Sequence, residues 1–539
     1  MQIAASPTNP ELAQQALKYI HDVRDSADGW QTCLQLFVRS SPPASDTVRF
    51  VSLDIILAAI NARINNPADE SLQYIKQVLF DYIQKSYGPG SSSTDAGNIQ
   101  NKLSQALTGL FVATYVTNWP SFFDDLMALG KNTPGGAWDN FVGIEFFIRT
   151  SASIHDEVAD TMIPRTPQEA NRNVYIKDCV RERDMTKLVT AWQEILEEFK
   201  GKSEQLVELG LRVIARWVSW IDISLVVNEV MMRQLFYFMD CGGKVRDAAL
   251  HALTEIVGKK MKGPDKLDLI NFLNVGDIVG QICQSAPLRD QNTMEYDTDL
   301  AEGTAKLVNT AATDIVLILK VIEPCYNTKI GTDSCQDETQ YDQNTKQRAD
   351  TMLQSFMPLI LRFFQDQYDE VSAAVFPVTN ELLALFRKEK KATNVLSDSH
   401  QQMLPLILNA IIMKTKYDSE TEWGDEDEQT DEAEFEELRR KLKTMQDAVS
   451  VIDEPLYIEC ISQLVENTFG RVAENASVDW HELDLALYQV FTFGELVQKY
   501  GGIWTKGKPS CPAAEKLVNM LGKLMNCSKL SCQSCIRIC

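Results

Sequence analysis

Residues 166–222 read TPQEANRNVYIKDCVRERDMTKLVTAWQEILEEFKGKSEQLVELGLRVIARWVSWID. Thr166 followed by Pro167 is typical of a helix start, with a capping residue and then proline at the first helical position. The second half carries apolar residues at i, i+3, i+4 and i+7, which predicts an amphipathic helix pair ending near Trp217 and Trp220. The first half repeats cations at helical spacing: Arg172, Lys177, Arg181, Arg183 and Lys187. We therefore expect two helices of a stacked array, with a basic inner surface.

The same helical period extends outward from this stretch, and almost no segment shows strand alternation. Short polar breaks separate the segments, and pairs recur about every 40 residues, the period of a HEAT-type solenoid. The chain is thus predicted to be all-α, a HEAT-repeat α-solenoid, although separate helical bundles would leave a similar pattern. The predicted helices include 51–64, 72–83, 99–116, 119–129, 138–154, 266–283, 299–322, 348–367, 369–388, 400–415, 435–451, 459–469, 479–500 and 513–525.

Length and charge restrict the class of protein further. The 539 residues exceed one compact core, and 45% apolar content excludes wholesale disorder. The net charge of -23 argues against indiscriminate phosphate binding, but it permits a local basic groove because salt screens each patch. No run reaches the ~20 apolar residues of a membrane span, so we expect no membrane insertion. The first residues lack the pattern of a signal peptide, which favours cytosol or nucleus.

Two segments depart from the helical pattern. Residues 418–437 carry twelve Asp or Glu and no Lys or Arg. They are interpreted as a solvated surface loop, with a docking loop for a basic partner as the alternative. The chain ends in CSKLSCQSCIRIC, residues 527–539, whose cysteine spacing fits no zinc module well. We interpret this tail as a truncated or mis-spliced end rather than a metal site. A solenoid also needs a polar capping repeat at its end, and these residues do not resemble one.

The motifs of catalysis are missing from the sequence. There is no GxxxxGK[ST], GxGxxG or GxSxG, and none of the five histidines pairs with another at metal-ligand spacing. We expect no enzyme activity, no cofactor and no metal. The cationic clusters are more informative, although each also suits a solvated helix end. We interpret Arg387–Lys391 in that way. For 172–183 and for Lys259, Lys260, Lys262 and Lys266, a solvated helix end and a phosphate-facing role are equal alternatives.

Several stretches together resemble one family. They are WPSFFDDL (119–126), EANRNVYIKDCVRER (169–183), VSWIDISL (218–225), residues 265–270, and the acidic loop with the following LRRKLK (438–443). In order and spacing they are similar to exportin-T, the tRNA exportin of the importin-β superfamily. Family members run to about twice this length, and the resemblance covers roughly their N-terminal half before it ends near Leu521.

The resemblance implies a shuttling nuclear export receptor. It would bind tRNA together with the GTP form of the small GTPase Ran in the nucleus. It would then cross the nuclear pore by contacts with pore proteins and release tRNA in the cytoplasm after GTP hydrolysis. It further implies recognition of tRNA shape and backbone rather than sequence, by a chain that is monomeric outside the export complex. The implied tRNA contacts are Arg172, Lys177, Arg181, Arg183, Lys259, Lys260, Lys262, Arg439 and Arg440. The implied Ran contacts are Arg49, Phe50, Asp54, Leu57 and Tyr74.

These implications divide the chain into segments. Residues 1–165 would hold Ran-GTP, 166–417 would form the tRNA-facing groove, 418–437 is the acidic loop, 438–525 holds further repeats, and 526–539 is the atypical tail. Two alternatives stay open: another importin-β relative that carries protein cargo, and a helical scaffold that does not depend on Ran.

Overall fold

A computed structural model describes residues 10–91, 95–291, 293–320, 342–418, 429–474, 476–499 and 501–526. Residues 419–428 of the predicted acidic loop and the cysteine-rich tail from Cys527 onward lie outside these ranges. The predicted loop 418–437 is too long, because residues 429–437 form the first turns of a helix that ends at Ile452. Acidic residues favour the N-terminal end of a helix, which agrees with a helix start in this segment. The chain divides into two compact units, Met1–Lys259 and Lys260–Cys539. The boundary between the units falls inside the predicted segment 166–417.

The first unit consists of helices joined by short connections. They are α1 (Pro10–Asp25), α2 (Gly29–Val38), α3 (Asp46–Ala62), α4 (Glu70–Tyr87), α5 (Gly97–Thr114), α6 (Phe122–Ala128), α7 (Phe141–Val158), α8 (Pro167–Arg183), α9 (Met185–Phe199), α10 (Glu204–Trp217), α11 (Ile223–Val226), α12 (Glu229–Met239) and α13 (Gly243–Gly258).

Five successive helix pairs build the first unit: α2 with α3, α4 with α5, α6 with α7, α9 with α10, and α12 with α13. The second helices of the pairs pack in one row, α3–α5–α7–α10–α13, and the first helices cover that row. No pair can bury its apolar stripe alone, so the row holds the core together. The extra helix α8 lies between the third and fourth pairs, against α7 and α9. The prediction of stacked helix pairs is confirmed.

Trp217 shows how the stretch 166–222 joins this row. The indole of Trp217 is fully buried, with ring centroids 5.2 Å from Trp192 of α9 and 4.4 Å from Trp220. Its Nε1 donates to the carbonyl oxygen of Ser151 in α7, at 3.0 Å. Each such aromatic ring removes a large apolar area from water, so α9, α10 and α7 pack together as one block.

The second unit has the same construction. Its elements are α14 (Gly263–Phe272), α15 (Val275–Gln284), α16 (Ala286–Arg289), α17 (Thr298–Lys320), α18 (Gln343–Phe364), α19 (Asp369–Ala373), α20 (Phe376–Thr393), α21 (Asp398–Lys414), α22 (Gln429–Ile452), α23 (Glu454–Ala473), α24 (Trp480–Lys499), β1 (Trp504–Thr505), β2 (Lys508–Pro509) and α25 (Pro512–Asn526). Helices α17, α20 and α22 pack in a row, α18 packs on α17, and α21 packs on α18 and α22. The short strands β1 and β2 pair antiparallel.

Helix boundaries differ from the prediction by several residues at some ends, as in Gln429–Ile452 against 435–451 and Glu454–Ala473 against 459–469, and two predicted helices are each divided in two. The predicted helix 266–283 is two helices, α14 and α15, because Asn274 between them adopts the left-handed region with φ of 51°. Asparagine tolerates this conformation better than most residues, and it ends the first helix. The predicted helix 369–388 is likewise divided, into α19 and α20, with Pro377 in the first turn of α20.

Candidate functional site

Helix α8 carries four of the predicted RNA-binding cations and begins as the sequence predicts. The Thr166 hydroxyl accepts a hydrogen bond from the backbone N–H of Glu169, and the Glu169 carboxylate accepts one from the backbone N–H of Thr166. The buried residues of α8 are Asn173, Ile176 and Val180. At 100° per residue, this stripe leaves Arg172 and Arg183 at one edge and Lys177 and Arg181 at the other. The helix therefore separates the four cations into two pairs.

Arg181 meets a cation from a distant helix at the turn after α10. Its Nε donates to the carbonyl oxygen of Trp220 at 2.8 Å, and its Nη1 pairs with Asp178 at 2.7 Å. Lys259, which follows α13, donates from Nζ to the carbonyl oxygens of Val218 at 2.7 Å and Ser219 at 3.3 Å. The C-terminal end of a helix leaves carbonyl groups unsatisfied and carries partial negative charge, so both cations stabilise this turn.

Lys177 completes this group, which we name the turn cluster: Lys177, Arg181 and Lys259. Burial lowers the pKa of Lys177, and the positive charge of Arg181 lowers it further. Lys177 forms no hydrogen bond or ion pair with any residue that the structure describes. It is the member of the cluster without a hydrogen bond or ion pair to a described residue, although the carboxylate of Asp178 acts on it in the opposite direction and raises its pKa.

The other edge of α8 faces a polar groove of about 490 Å³ between α3, α5, α7 and α8. Arg172 lies in this groove, where burial lowers its pKa. Glu157 of α7 lies 3.0 Å from Arg165 and 3.9 Å from Arg172, measured between Oε1 and the guanidinium nitrogens. Arg183 lies outside the groove and packs over the Tyr115 ring, 4.3 Å from its centroid. Both predicted phosphate contacts on this edge are thus already engaged by the protein.

The predicted Ran contacts fall into three places. Phe50, Asp54 and Leu57 follow one face of α3 at i, i+4 and i+7, and Leu57 lines the same groove as Arg172. Tyr74 lies on α4, about half exposed, with its ring edge-on to Trp30.

Arg49 is enclosed by the protein. It pairs with Asp95 at 2.8 Å, donates to the Tyr82 hydroxyl at 2.6 Å, and lies over the Phe37 ring. Only 12% of its side chain is exposed, so it is better placed to hold α2, α3 and α4 together than to contact a partner.

Arg439 is also a structural residue. Its guanidinium is 3% exposed and lies over the rings of Tyr417, Phe435 and Tyr488, at 4.4–4.8 Å from their centroids. It pairs with Asp484 at 2.5 Å. A phosphate cannot reach it in this arrangement, so we withdraw it from the candidate RNA contacts. Its neighbour Arg440 is exposed, and the side chain of Arg440 forms no ion pair within the described part of the chain.

The cluster around Gly263 crosses into the second unit, which begins at Lys260. Lys260 and Lys262 are exposed and without a side-chain partner among the residues described. Lys266 is buried and pairs with Asp314 of α17 at 2.7 Å, which makes it part of the core.

Sequence reasoning missed Arg165 and Lys102. Arg165 shares the ion-pair partner Glu157 with Arg172. Its position directly before the helix cap Thr166 is the one feature of the sequence that could have indicated it. Lys102 of α5 pairs with Asp54 at 2.7 Å and lies over the Phe50 ring. Its partners are about 50 residues away, and no local pattern indicates them.

Two further searches cover the described residues only. They contain no helix long and apolar enough to cross a bilayer. They also contain no group of three or more His, Cys, Asp or Glu arranged to hold a metal ion.

Comparison with known proteins identifies the family. Residues 343–534 match the family model described as Exportin-T, and residues 97–253 match that of Exportin 1-like protein. The Exportin-T of Emericella nidulans is 42% identical over 97% of this chain, and that of Aspergillus fumigatus is 40% identical over 97%. The chain belongs to the exportin-T family. It spans about half the length of these relatives, since it covers 50% of each.

Two solved structures share the fold of this chain. Importin 13 in its cytosolic state aligns with a TM-score of 0.54 at 11% identity, covering 85% of this chain and 52% of importin 13. Lph2, a bidirectional nuclear transport receptor of S. cerevisiae, aligns with a TM-score of 0.52 at 12% identity, covering 98% of this chain and 58% of Lph2. At this identity the likeness concerns the fold alone, an array of stacked helix pairs.

Proposed function

We propose that this chain binds tRNA for nuclear export, cooperatively with Ran-GTP, shuttles through the nuclear pore by contacts with pore proteins, and releases tRNA in the cytoplasm after Ran hydrolyses its GTP. The chain itself would perform no chemistry. Family membership suggests this role, and the turn cluster is the observation that carries it. Three cations from two helices converge there in a molecule of net charge -23.

The chemistry of the turn cluster suits a phosphate backbone. Arg181 and Lys259 are held in place by carbonyl oxygens of one turn, and Lys177 lies beside them half-buried. Cations fixed in advance lose little side-chain freedom when a phosphate arrives. Hydrogen bonds from such cations to phosphates carry no sequence information, which agrees with recognition of tRNA by shape.

The groove suggests where Ran would act. Leu57 on α3, a proposed Ran contact, and Arg172 on α8 line the same groove. A partner that shifts α3 would change the surroundings of Arg172 and Glu157 directly. If binding of Ran-GTP and tRNA is coupled, each must raise the affinity of the other by the same factor.

A binding experiment with four conditions tests the proposal. Labelled tRNA, or an unrelated RNA of equal length, is titrated with the chain in the presence of Ran-GTP or Ran-GDP. We expect tRNA to bind most tightly with Ran-GTP. Equal binding of tRNA in both nucleotide states would contradict the cooperative role and favour a scaffold that does not depend on Ran. Selective binding of Ran-GTP without any tRNA preference would favour a receptor for protein cargo.

A further inference from the structure

The C-terminal end of α20 carries four cations that the proposed RNA contacts do not include: Arg387, Lys388, Lys390 and Lys391. They lie entirely within the second unit. Lysines and arginines are common at helix C-termini, where they offset the helix dipole and cap carbonyl groups.

Of these four cations, Lys388 is the one that donates a hydrogen bond to a carbonyl group at the end of a described helix. Lys388 donates from Nζ to the carbonyl oxygen of Lys320, at the end of the neighbouring helix α17, at 2.8 Å. The carbonyl groups of α20 have other donors, since the backbone N–H of Asn394 binds Lys390 O and the Thr393 hydroxyl binds Glu389 O, both at 2.9 Å. Arg387, Lys390 and Lys391 make no ion pair or side-chain hydrogen bond with any described residue. Three full charges exceed the partial charge of about one half at a helix end.

The carboxylates of α20 do not neutralise these three cations. Glu389 accepts a hydrogen bond from the backbone N–H of Ser397 at 2.8 Å and lies 2.5 Å from Nδ1 of His400. Glu381 pairs with Lys320. Both acidic residues of the helix are therefore engaged elsewhere.

The exposed line along α20 is open to a ligand. Asn380, Ala384, Arg387 and Lys391 follow each other at intervals of three or four residues, and each is exposed. This line contains no carboxylate over the described length of α20. Lys390, half-buried, lies three residues from Arg387, so it adjoins the same line. Short side chains followed by cations allow a polyanion to approach the helix closely.

We propose that Arg387, Lys390 and Lys391 form a second contact for RNA phosphodiesters, in the second unit and separate from the turn cluster. The site rests on the proposed function, because tRNA is the polyanion that this chain would carry. Its role is sequence-independent: cations at a fixed spacing on a rigid helix neutralise phosphates and release counterions.

A pair of matched variants tests the site in the whole chain. The site variant combines Arg387→Gln, Lys390→Gln and Lys391→Gln. The control variant combines Lys306→Gln, Lys441→Gln and Lys516→Gln, which removes the same charge from cations of the same unit that are each paired with a glutamate. tRNA affinity is measured with Ran-GTP over a range of salt concentrations.

We expect the site variant to bind tRNA about tenfold more weakly at moderate salt, with a salt slope shallower by about two to three. The control variant should stay within about twofold of the unaltered chain. Equal affinity and slope in both variants would overturn the site while leaving the proposed function intact. Loss of Ran binding with unchanged tRNA binding would assign the cations to a protein partner and overturn the RNA assignment. No tRNA binding by the unaltered chain would contradict the proposed function and, with it, this site.

A second measurement uses the unaltered protein and does not depend on how the variants fold. Lysines are acetylated briefly with and without tRNA, and the modified positions are quantified by mass spectrometry. We expect tRNA to slow acetylation of Lys390 and Lys391 several-fold and to leave Lys306 unchanged. Equal rates with and without tRNA would count against the contact.

Discussion

Arg181 and Lys259 donate hydrogen bonds to the carbonyl oxygens of adjacent residues, Trp220 at 2.8 Å and Ser219 at 3.3 Å. Helix α8 and the residue that follows α13 are far apart in the chain, and both therefore supply cations to the same turn after α10. The two side chains stabilise the turn and at the same time concentrate positive charge on it. A variant that removes either of them would change both properties, so stability and RNA binding could not be separated.

Lys177 avoids this difficulty, because it has no hydrogen-bond or ion-pair partner among the described residues. We expect Lys177→Glu to weaken tRNA binding in the presence of Ran-GTP by about tenfold and to lower the salt slope by about one to two. The free energy of unfolding of the Lys177→Glu variant should stay within about 0.5 kcal/mol of that of the unaltered chain. Lys202→Glu is the control, since Lys202 is exposed and already paired with Glu198. Matching losses in both variants would argue that only net charge matters, and would contradict a specific role for the turn cluster.

Arg439 gives a prediction about stability rather than binding. Arg439→Ala would empty the space between three aromatic rings and leave Asp484, 17% exposed, without its cation. Breaking a buried ion pair from one side costs about 3–5 kcal/mol. We expect hydrogen exchange in α22 and α24 to accelerate accordingly, whereas Arg440→Ala should change it little. Normal protection in Arg439→Ala would show that the arginine is dispensable for the fold.

The contrast between Arg439 and Arg440 shows what can be predicted from the sequence alone and what cannot. Helical periodicity predicted nearly every long helix, because each buries a stripe of its own residues. The same pattern could not assign the cations, because their partners lie far away in the chain: Asp484 for Arg439, Asp95 for Arg49, and Asp314 for Lys266. Only packing between helices decides which cation is structural.

The break at Asn274 was missed for a related reason. Residues on both sides of it continue the apolar period, and one residue in the left-handed region leaves little trace in that pattern. The division of α8 into two charged edges, by contrast, could have been derived by placing its residues at 100° intervals around Ile176 and Val180.

Cysteine reactivity should depend on burial and pH. Cys33 is 1% exposed, and burial raises the pKa of its thiol from 9.0 to about 11. The thiolate is the nucleophile, so a rise of two units leaves about 100-fold less reactive species below pH 9. We expect N-ethylmaleimide to modify the exposed Cys241 rapidly and Cys33 at least 100-fold more slowly.

The raised pKa of Cys33 also affects how the stability of the chain depends on pH. Because the folded state holds the Cys33 proton more tightly than the unfolded state, this contribution is fully present below pH 9.0 and is lost as the pH rises through about 11. A Cys33→Ala variant should lack this part of the alkaline loss, measured as the difference in thermal midpoint across that window. Rapid labelling of Cys33 in the native chain, equal to that of Cys241, would contradict the buried placement.

Gly143 fixes the start of α7, the helix that supplies Glu157 to the groove. A Cβ at this position would lie 2.0 Å from the backbone carbonyl oxygen of Leu129. The backbone there cannot withdraw freely, because buried Asn140 donates from Nδ2 to the carbonyl oxygens of both Leu129 and Tyr87, at 2.6 and 2.8 Å. We expect Gly143→Ala to destabilise the first unit by about 3 kcal/mol or more.

Gly280 in α15 is the matched control for Gly143, since a Cβ at Gly280 meets no atom within 4 Å. Gly280→Ala should raise stability by up to about 1 kcal/mol, because alanine favours the helix and restricts the unfolded chain. Hydrogen exchange resolved by peptide would report each unit separately, so two-state unfolding of the whole chain is not required. If Gly143→Ala left exchange in α6 and α7 unchanged, the close approach of α7 to Leu129 would be contradicted, and with it the placement of Glu157 beside Arg172.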